Sequence, residues 1–593
     1  MLAAVQRVAT LVPRIYYSRT RRTAVVVGYF HRGVAPGPAA VRLARRFHTF
    51  HGVVVGGPAL AEQQLIEQTK TDVATAEIIA LPLLLLLALL IFRSLIAALL
   101  PVLVTLAALS VTLALLEAAN TIHPISILSL NLVVGLTIGL SLDYSLLLLS
   151  RCREELDLGQ TPRCATSRTI LSAGRTVTIS AATVAVAFAV PLVFPVPFVR
   201  SLAVGGMLAA IVSGLAALTV LPALLSLLGH RVDMLAVRSV RFTRSQHRAW
   251  ERIASLVVAR PMAGLLVAVA VVAILGAQAP RMRLTGFTVE ALPESSNSSA
   301  FEEHVRNEFS YPLLDEIVVL ARATEHTIAH AVTPAMERLP NVAAGVGTHI
   351  RGDLWAYNIK TAAPQFSSAS QALVRKIRAL PFHLSVTGTT ANFLDTANAL
   401  EANAPLAAAM MIGLTLLLLF LATGSVILPC VAVVANTLPL ISAFGLVVLV
   451  FQDGRFTGLL GYRSLGAIIL TQPVLLGAGT FGVLTDYGMF MLTRIREGRD
   501  AGLSNAEAVA RGLERTGPVI SSAALLFCVA VGALITAQMA YVKELSLGIV
   551  TAVVIDVTVI RALLLPGLMI LLGRWSWWRP RLSEMGFAYR SRA

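Results

Sequence analysis

The sequence contains little charge and little cysteine for its length. Only 13% of its 593 residues are charged and 56% are hydrophobic, and its mean hydropathy is +0.77. Soluble globular proteins rarely have this composition, whereas polytopic membrane proteins do. The four cysteines do not make a disulfide framework, so we interpret them as free thiols.

Motifs of ATP-driven, metal-dependent and hydrolytic proteins are also missing from the sequence. It has no P-loop, so we do not expect ATP to drive this protein. It has no His/Cys cluster of the kind that binds a metal, and no nucleophile elbow of a lipid hydrolase. We therefore expect neither an enzyme nor a bound cofactor.

Long apolar runs dominate what the sequence does contain. A helix needs about 20 such residues to cross a bilayer. Eleven runs approach or exceed this length, near 74–92, 96–118, 126–150, 172–192, 200–228, 261–279, 404–423, 426–451, 467–492, 516–537 and 545–572. The sequence thus predicts a multi-pass α-helical membrane protein.

Arginine marks one side of the predicted spans. The arginine-rich segments are the loops 151–171, 229–260 and 493–515 and the tail after Gly573. Cytoplasmic loops carry such an excess of basic residues, so the net charge of +16 reflects topology, not nucleic-acid binding. The loops 119–125 and 538–544 hold no basic residue except Lys543. Counting spans from these assignments places residues 1–73 outside the membrane.

One stretch of the chain occurs twice. "GLSLDYSLLLLSRCREEL", which begins at Gly139, aligns without gaps with "GVLTDYGMFMLTRIREG", which begins at Gly482. The alignment superimposes Asp143 on Asp486 inside two apolar runs. Because parallel repeats are a transporter architecture, the duplication favours a transporter. The alternative is that each Asp makes only a structural hydrogen bond between helices.

The buried Asp-Tyr pairs are suited to carrying protons. A carboxyl within the membrane can change between its neutral and charged forms, and a tyrosine hydroxyl can hydrogen-bond either form. Residues adjacent in a helix point about 100° apart. We therefore expect Asp143 to pair with Tyr487 of the other copy, or with a third helix, instead of with Tyr144.

Small residues share a helical face with each Asp. Asn131, Gly135, Gly139 and Asp143 recur every four residues, and Gly479, Gly482 and Asp486 form a similar stripe. Since small residues let helices approach closely, we expect the two stripes to face each other and to bring both Asp residues into one site.

Other polar residues of the spans are possible supports of this site. The hydroxyls are Thr178 and Ser180 in the first copy and Ser521 and Ser522 in the second. They would hydrogen-bond the Asp pair or a proton-carrying water, or only the backbone of their own helices. Asp556 and Arg561 occur in one copy and stand five apart, so we interpret them as a structural or peripheral charge pair.

The longest polar segment of the chain follows the sixth span. It predicts a strand at "EIVVLA", a helix at "HAVTPAMERL", strands at "NVAAGVGTHI" and "DLWAYNIK", a helix at "SASQALVRKIRAL" and a strand at "HLSVTG". This βαββαβ order is typical of a ferredoxin-like domain. Residues before the first span predict only a strand at "TAVVVGYF", a helix at "PAAVRLARRFHTF" and a strand at "GVVVGG".

These motifs resemble the MmpL (mycobacterial membrane protein large) branch of the resistance-nodulation-division (RND) transporters. The resemblance rests on "VVVGGPALAEQQ", "DYSLLLLSRCREEL", "AGRTVTISAAT", "VLPALLSLLG", "DYGMFMLTRIREG", "DVTVIRALLLPGLMILLG" and "WSWWRP". It implies an RND-type two-fold repeat of transmembrane helices with ferredoxin-like α/β porter domains outside. It also implies a proton relay at Asp143, Tyr144, Asp486 and Tyr487, and export of lipids or other hydrophobic molecules across the inner membrane.

The implied partners are protons, a hydrophobic substrate, a small periplasmic adaptor protein and further copies of the chain in a trimer. The expected organisation is a partial first porter domain (1–73), a first bundle of five spans (74–228), a cytoplasmic linker (229–260), a leading span (261–280), a second porter domain (281–403), a second bundle of five spans (404–573) and a basic cytoplasmic tail (574–593).

Compared with the twelve spans of the family, a first span and half of the first porter domain are missing, so we expect an N-terminal truncation. The alternatives to an exporter are a truncated relic that does not transport, a membrane scaffold, and a translocation accessory of the SecDF kind.

Overall fold

The computed structural model describes residues 14–578, apart from 19, 29, 31–32, 123, 128, 234–240, 290–291, 294 and 310–315. Most of the predicted basic tail therefore lies outside the described residues. The chain divides into two compact units. Unit 1 consists of Met1–Lys70, Leu284–Ala402 and Ile468–Leu470, and unit 2 consists of Thr71–Arg283, Asn403–Ala467 and Thr471–Ala593.

Eleven helices in the described part of the chain are long and apolar enough to cross a membrane. They are α1 (Pro58–Phe92), α2 (Leu95–Asn120), α3 (Ser129–Asp157), α4 (Pro162–Val193), α5 (Pro197–Leu228), α6 (Pro261–Arg281), α7 (Thr389–Leu421), α8 (Ile427–Gln452), α9 (Gln472–Asp500), α10 (Asn505–Thr536) and α11 (Ala540–Trp577). This number confirms the prediction from the apolar runs. A helix satisfies its backbone N–H and C=O groups by internal hydrogen bonds. This is necessary in a bilayer because lipid tails cannot hydrogen-bond those groups.

Local sequence sets several of the helix ends. Helix α10 begins at a capping box, in which the Ser504 side chain and the Glu507 side chain each bond the other residue's backbone N–H. The α-helical parts of α5 and α11 end before Gly229 and Gly573, whose φ angles are +52° and +54°. Only glycine adopts such angles without steric cost, so both repeats use glycine to end their last span.

Helices α3 and α9 lie at the centre of unit 2. In their most apolar segments 94% and 83% of the residues are buried, against 22% in α6 and 17% in α7. Helix α3 packs along α5 and α10, and α9 packs along α4 and α10. The two copies of the Asp-Tyr motif therefore occupy the most enclosed part of the bundle.

All strands among the described residues belong to unit 1. They are β1 (Arg14–Tyr17), β2 (Ala24–Val27), β3 (Leu284–Thr285), β4 (Glu316–Arg322), β5 (Val342–Arg351), β6 (Leu354–Thr361), β7 (Leu384–Gly388) and β8 (Ile468–Ile469). β1 pairs with β2 antiparallel and β3 pairs with β8 parallel. Residues 53–56 form no strand, so the predicted strand at "GVVVGG" is wrong. A strand needs a hydrogen-bonded neighbour, and among the described strands none pairs with this segment.

The remaining four strands of unit 1 form one antiparallel sheet in the order β5-β6-β4-β7. Helical residues 325–337 follow β4, and helix Ser368–Arg378 follows β6, which gives the predicted βαββαβ order. Burial alternates along β4, where Ile317 and Val319 face the core with Leu373 and Val374 of the second helix. This alternation is the two-residue period of a half-buried strand.

Candidate functional site

The two repeats meet through a hydrogen bond between side chains of their Asp-Tyr motifs. The Tyr487 hydroxyl on α9 donates to Asp143 Oδ2 on α3 over 2.5 Å. Both groups are buried, with 6% of Asp143 and 5% of Tyr487 exposed. This is the first of the two pairings expected from helix geometry, Tyr487 of the other copy or a third helix, since the adjacent Tyr144 points away from Asp143.

The reciprocal contact between Tyr144 and Asp486 is not formed. Among the described residues the buried Tyr144 hydroxyl has no hydrogen-bond partner. The Asp486 carboxyl, 9% exposed, instead lies near Ser180 and within the electrostatic influence of Arg561. The Asp143 and Asp486 charges also act on each other. The site therefore contains two carboxyls in different surroundings.

A buried ion pair on α11 belongs to the same site. Asp556 is 0% and Arg561 2% exposed, and Arg561 Nε donates to Asp556 Oδ2. Arg561 Nη2 also donates to the Leu484 carbonyl, and its guanidinium carbon lies 5.9 Å from the ring centre of Tyr487. The predicted charge pair is therefore formed. It is not peripheral, since it contacts the helix that carries Asp486.

A change of helix type explains why Asp556 and Arg561, which are five residues apart, form an ion pair. Residues Asp556–Leu564 are π-helical, and in a π-helix residues five apart are hydrogen-bonded neighbours. The π-helical stretch ends two residues before Pro566, which has no N–H to bond the carbonyl four residues earlier. In an α-helix the side chains of Asp556 and Arg561 would diverge, so the α-helical period does not predict this pair.

The glycine stripes face other helices, so the expectation that they face each other is wrong. A side chain at Gly139 would overlap the ring of Phe527 on α10, and one at Gly482 would press on Ala187 of α4. Gly135 likewise lies against α10, and Gly479 lies near Ile549 and Phe188. In the described helices the backbones of α3 and α9 do not pack along each other. Side chains connect the two helices instead, such as Tyr487 of α9, which donates a hydrogen bond to Asp143 of α3.

The four predicted supporting hydroxyls have different surroundings. Thr178 donates to the Gly174 carbonyl of its own helix at 2.9 Å, and Ser521 accepts from Trp250 Nε1 at 3.0 Å. Ser522 is buried. Ser180 alone of the four is placed beside both Asp486 and Tyr144, although no formed hydrogen bond links its hydroxyl to either in the described residues.

Sequence reasoning missed two structural contributions to this region. Trp250 lies on the linker helix Arg241–Ala259, is 7% exposed and packs where a side chain at Gly517 would be. Asn436 donates from Nδ2 to Thr485 Oγ1 at 2.8 Å, one residue before Asp486. A single tryptophan in a basic, amphipathic helix was the available signal for the first contact. Nothing in the sequence pattern indicated the second.

The arrangement is suited to moving charge between repeats. Three carboxyls, the Tyr487 hydroxyl and one guanidinium lie together in buried surroundings, where charges interact strongly. Protonation of Asp143 would change the hydrogen bond that joins α3 to α9. Protonation of Asp486 would change its attraction to Arg561 and thereby the contact of α9 with α11.

Comparisons with known proteins agree with this architecture. The sequence matches the model of the MMPL family over residues 39–264 and 352–593. It is 36% identical over 535 residues to the membrane protein SCO6666 of Streptomyces coelicolor, covering 89% of this chain and 74% of that protein. It is 30% identical over 581 residues to the trehalose monomycolate exporter MmpL3 of Mycobacterium tuberculosis, covering 89% of this chain and 61% of MmpL3.

A second mycobacterial relative and a solved structure extend the comparison. The heme uptake protein MmpL11 of Mycobacterium tuberculosis is 30% identical over 548 residues, covering 89% of this chain and 56% of MmpL11. SecDF, a translocon-associated membrane protein from Thermus thermophilus, aligns over 92% of this chain and 68% of its own, with a TM-score of 0.53 and 16% identity. At that identity the likeness concerns the fold alone.

The chain belongs to the MMPL family. It is a multi-pass helical protein of the cell inner membrane. The mycobacterial relatives named above are transport proteins, and the chain spans about three fifths of their length or less.

Proposed function

We propose that this protein exports lipids or other hydrophobic molecules across the inner membrane and that protons drive the export. The observation that carries the proposal is the buried hydrogen bond from Tyr487 to Asp143, which joins the two repeats beside Asp486 and Arg561. Ionisable residues at the centre of a membrane bundle are costly to keep and typically serve proton or ion pathways.

Protonation would act through the contacts of three helices. A neutral Asp143 accepts a weaker hydrogen bond from Tyr487 than the carboxylate does, because charge-assisted hydrogen bonds are about twice as strong. Tyr487 in turn lies 5.9 Å from the Arg561 guanidinium carbon. A proton arriving at either Asp therefore shifts the balance of contacts among α3, α9 and α11. Such a shift would move the two repeats relative to one another, as alternating access requires.

The substrate class is drawn from the relatives. MmpL3 is named for trehalose monomycolate and MmpL11 for heme, and both molecules combine a large apolar part with polar groups. A periplasmic adaptor and a homotrimer are further proposals that rest on the resemblance to RND transporters alone.

The proposal is tested in liposomes that contain the full chain and labelled trehalose monomycolate. Heme and a labelled phospholipid serve as comparison substrates. A proton gradient should drive movement of at least one substrate, and an ionophore should stop it. Asp143→Asn and Asp486→Asn should each abolish the movement with normal membrane insertion, because Asn does not titrate. Asp395→Asn is the control, since Asp395 forms an exposed ion pair with Arg378 in unit 1.

The results separate the proposed function from its alternatives. Substrate movement that ignores the gradient, or that survives in either Asn variant, would show that these carboxyls are not the relay. The likeness to the SecDF fold favours a translocation accessory as second candidate. In that case no hydrophobic substrate would move, and the chain would instead accelerate proton-dependent protein translocation in membrane vesicles. A scaffold that does not transport would show neither activity.

A further inference from the structure

A second group of polar side chains, three of them buried, lies near the N-terminal ends of helices α9 and α11. We call Glu544, Tyr541, Gln472 and Tyr462 the Glu544 cluster. Glu544 is 3%, Tyr541 1% and Gln472 3% exposed. Helix α9 carries its arginines at its C-terminal end, so the end that begins with Gln472 faces the extracytoplasmic side.

The members of the cluster are close enough to affect each other. Gln472 Nε2 donates to the Tyr541 carbonyl at 2.7 Å. The charge of Glu544 acts on both tyrosines. Burial, followed by this charge, raises the pKa of Tyr462, which lies between the spans, from 10.0 to about 12. A buried carboxyl therefore lies near hydroxyl and amide groups at the extracytoplasmic end of the helix bundle.

Two buried polar atoms of the cluster are candidates for hydrogen bonds to water. Among the described residues neither the Tyr541 hydroxyl nor Gln472 Oε1 has a hydrogen-bond partner, and both are buried. Buried polar atoms are nearly always satisfied, either by protein or by ordered water. Two such atoms on residues joined by a hydrogen bond, with the charge of Glu544 acting on one of the residues, make a place where water would bind.

Two charged groups among the described residues near the cluster, Lys543 and Asp72, have structural contacts. Lys543 donates to the carbonyls of Leu460 and Gly461, the latter at 2.9 Å. Asp72 of α1 accepts from two backbone N–H groups at the start of α11, at 3.0 and 3.3 Å, and its charge also acts on Lys543. These two residues hold the neighbouring loop and the start of the helix.

Helices α9 and α11 connect the cluster to the candidate relay. Glu544 and Asp556 are twelve residues apart on α11, or about 18 Å at the rise of an α-helix. Gln472 and Asp486 are similarly separated on α9. We infer that Glu544, with water held by Tyr541 and Gln472, is the group through which the relay exchanges protons with the extracytoplasmic solution. The inference rests on the proposed function.

Proton flux tests the role of Glu544. Liposomes containing the full chain, trehalose monomycolate and an internal pH dye are acidified outside, and the rate of internal acidification is recorded. Glu544→Gln should slow the flux by about tenfold or more, because a positioned carboxyl that transfers protons contributes at least that much. Glu544→Asp keeps a carboxyl and should retain most of the flux. Glu77→Gln, a half-buried carboxyl of α1, is the matched control and should behave as the wild type.

The access of water to position 544 is tested by a measurement that does not depend on transport. This measurement keeps the inference testable if Glu544→Gln fails to fold. The four native cysteines, all free thiols, are first replaced. Glu544→Cys should then react with a membrane-impermeant thiol reagent added outside. Leu545→Cys, equally buried at 3% but one residue further along the helix, should not react.

The outcomes distinguish this inference from the proposed function. If Asp143→Asn stops the flux while Glu544→Gln leaves it unchanged, the relay stands and the role of Glu544 is wrong. An unreactive Glu544→Cys also overturns the inference, because the cluster would then be dry. If Asp143→Asn itself keeps the wild-type flux, both the relay and its proposed entry group are wrong.

Discussion

The ion pair of Asp556 and Arg561 gives the sharpest test of how the site is built. Arg561→Met would leave a fully buried carboxylate without its cation and would free the Leu484 carbonyl. Removing one partner of a buried pair costs about 3–5 kcal/mol. The exposed pair of Arg494 with Glu497, at 2.8 Å, is the control, and Arg494→Met should cost less than about 1 kcal/mol.

The measurement is reversible unfolding of the full chain in mixed micelles, with the free energy of unfolding compared among variants. Replacing both partners, as Arg561→Met with Asp556→Leu, should restore most of the stability, because no uncompensated charge remains. The same double variant should still lack proton-driven flux, since the cation beside Tyr487 and Asp486 is gone. The reasoning fails if Arg561→Met is no more destabilising than Arg494→Met, or if the double variant is as unstable as the single one.

Two further predictions concern the asymmetry and the packing of the site. Tyr487→Phe should slow proton-driven flux more than Tyr144→Phe, though less than the Asn variants do, because only the first removes a formed hydrogen bond; equal losses in the liposome assay would contradict the asymmetry. Gly139→Val should lower the free energy of unfolding by about 1–3 kcal/mol through overlap with Phe527. Gly413→Val, which meets open space on α7, should change it little, and similar losses would argue against close packing at Gly139.

Local patterns in the sequence were sufficient to predict the membrane architecture. The apolar runs predicted all eleven spans because a bilayer requires a fixed length of apolar helix, whatever the tertiary packing. The helical rotation between adjacent residues excluded a contact of Asp143 with Tyr144, so the duplicated motif predicted a partner that is either Tyr487 of the other copy or a third helix. The structure has the pairing with Tyr487. The βαββαβ order of unit 1 was likewise readable from strand alternation and helical periodicity.

Only the tertiary structure decided which helix lies opposite each face. Periodicity shows that Gly139 and Asp143 share a face, but it carries no information about the neighbour, and the neighbour is α10 instead of α9. The same holds for the bond from Trp250 to Ser521, which joins segments far apart in sequence. The π-helical turn that brings Asp556 and Arg561 together departs from the α-helical period assumed in reading the sequence. It depends on partners such as the Leu484 carbonyl, which packing alone supplies.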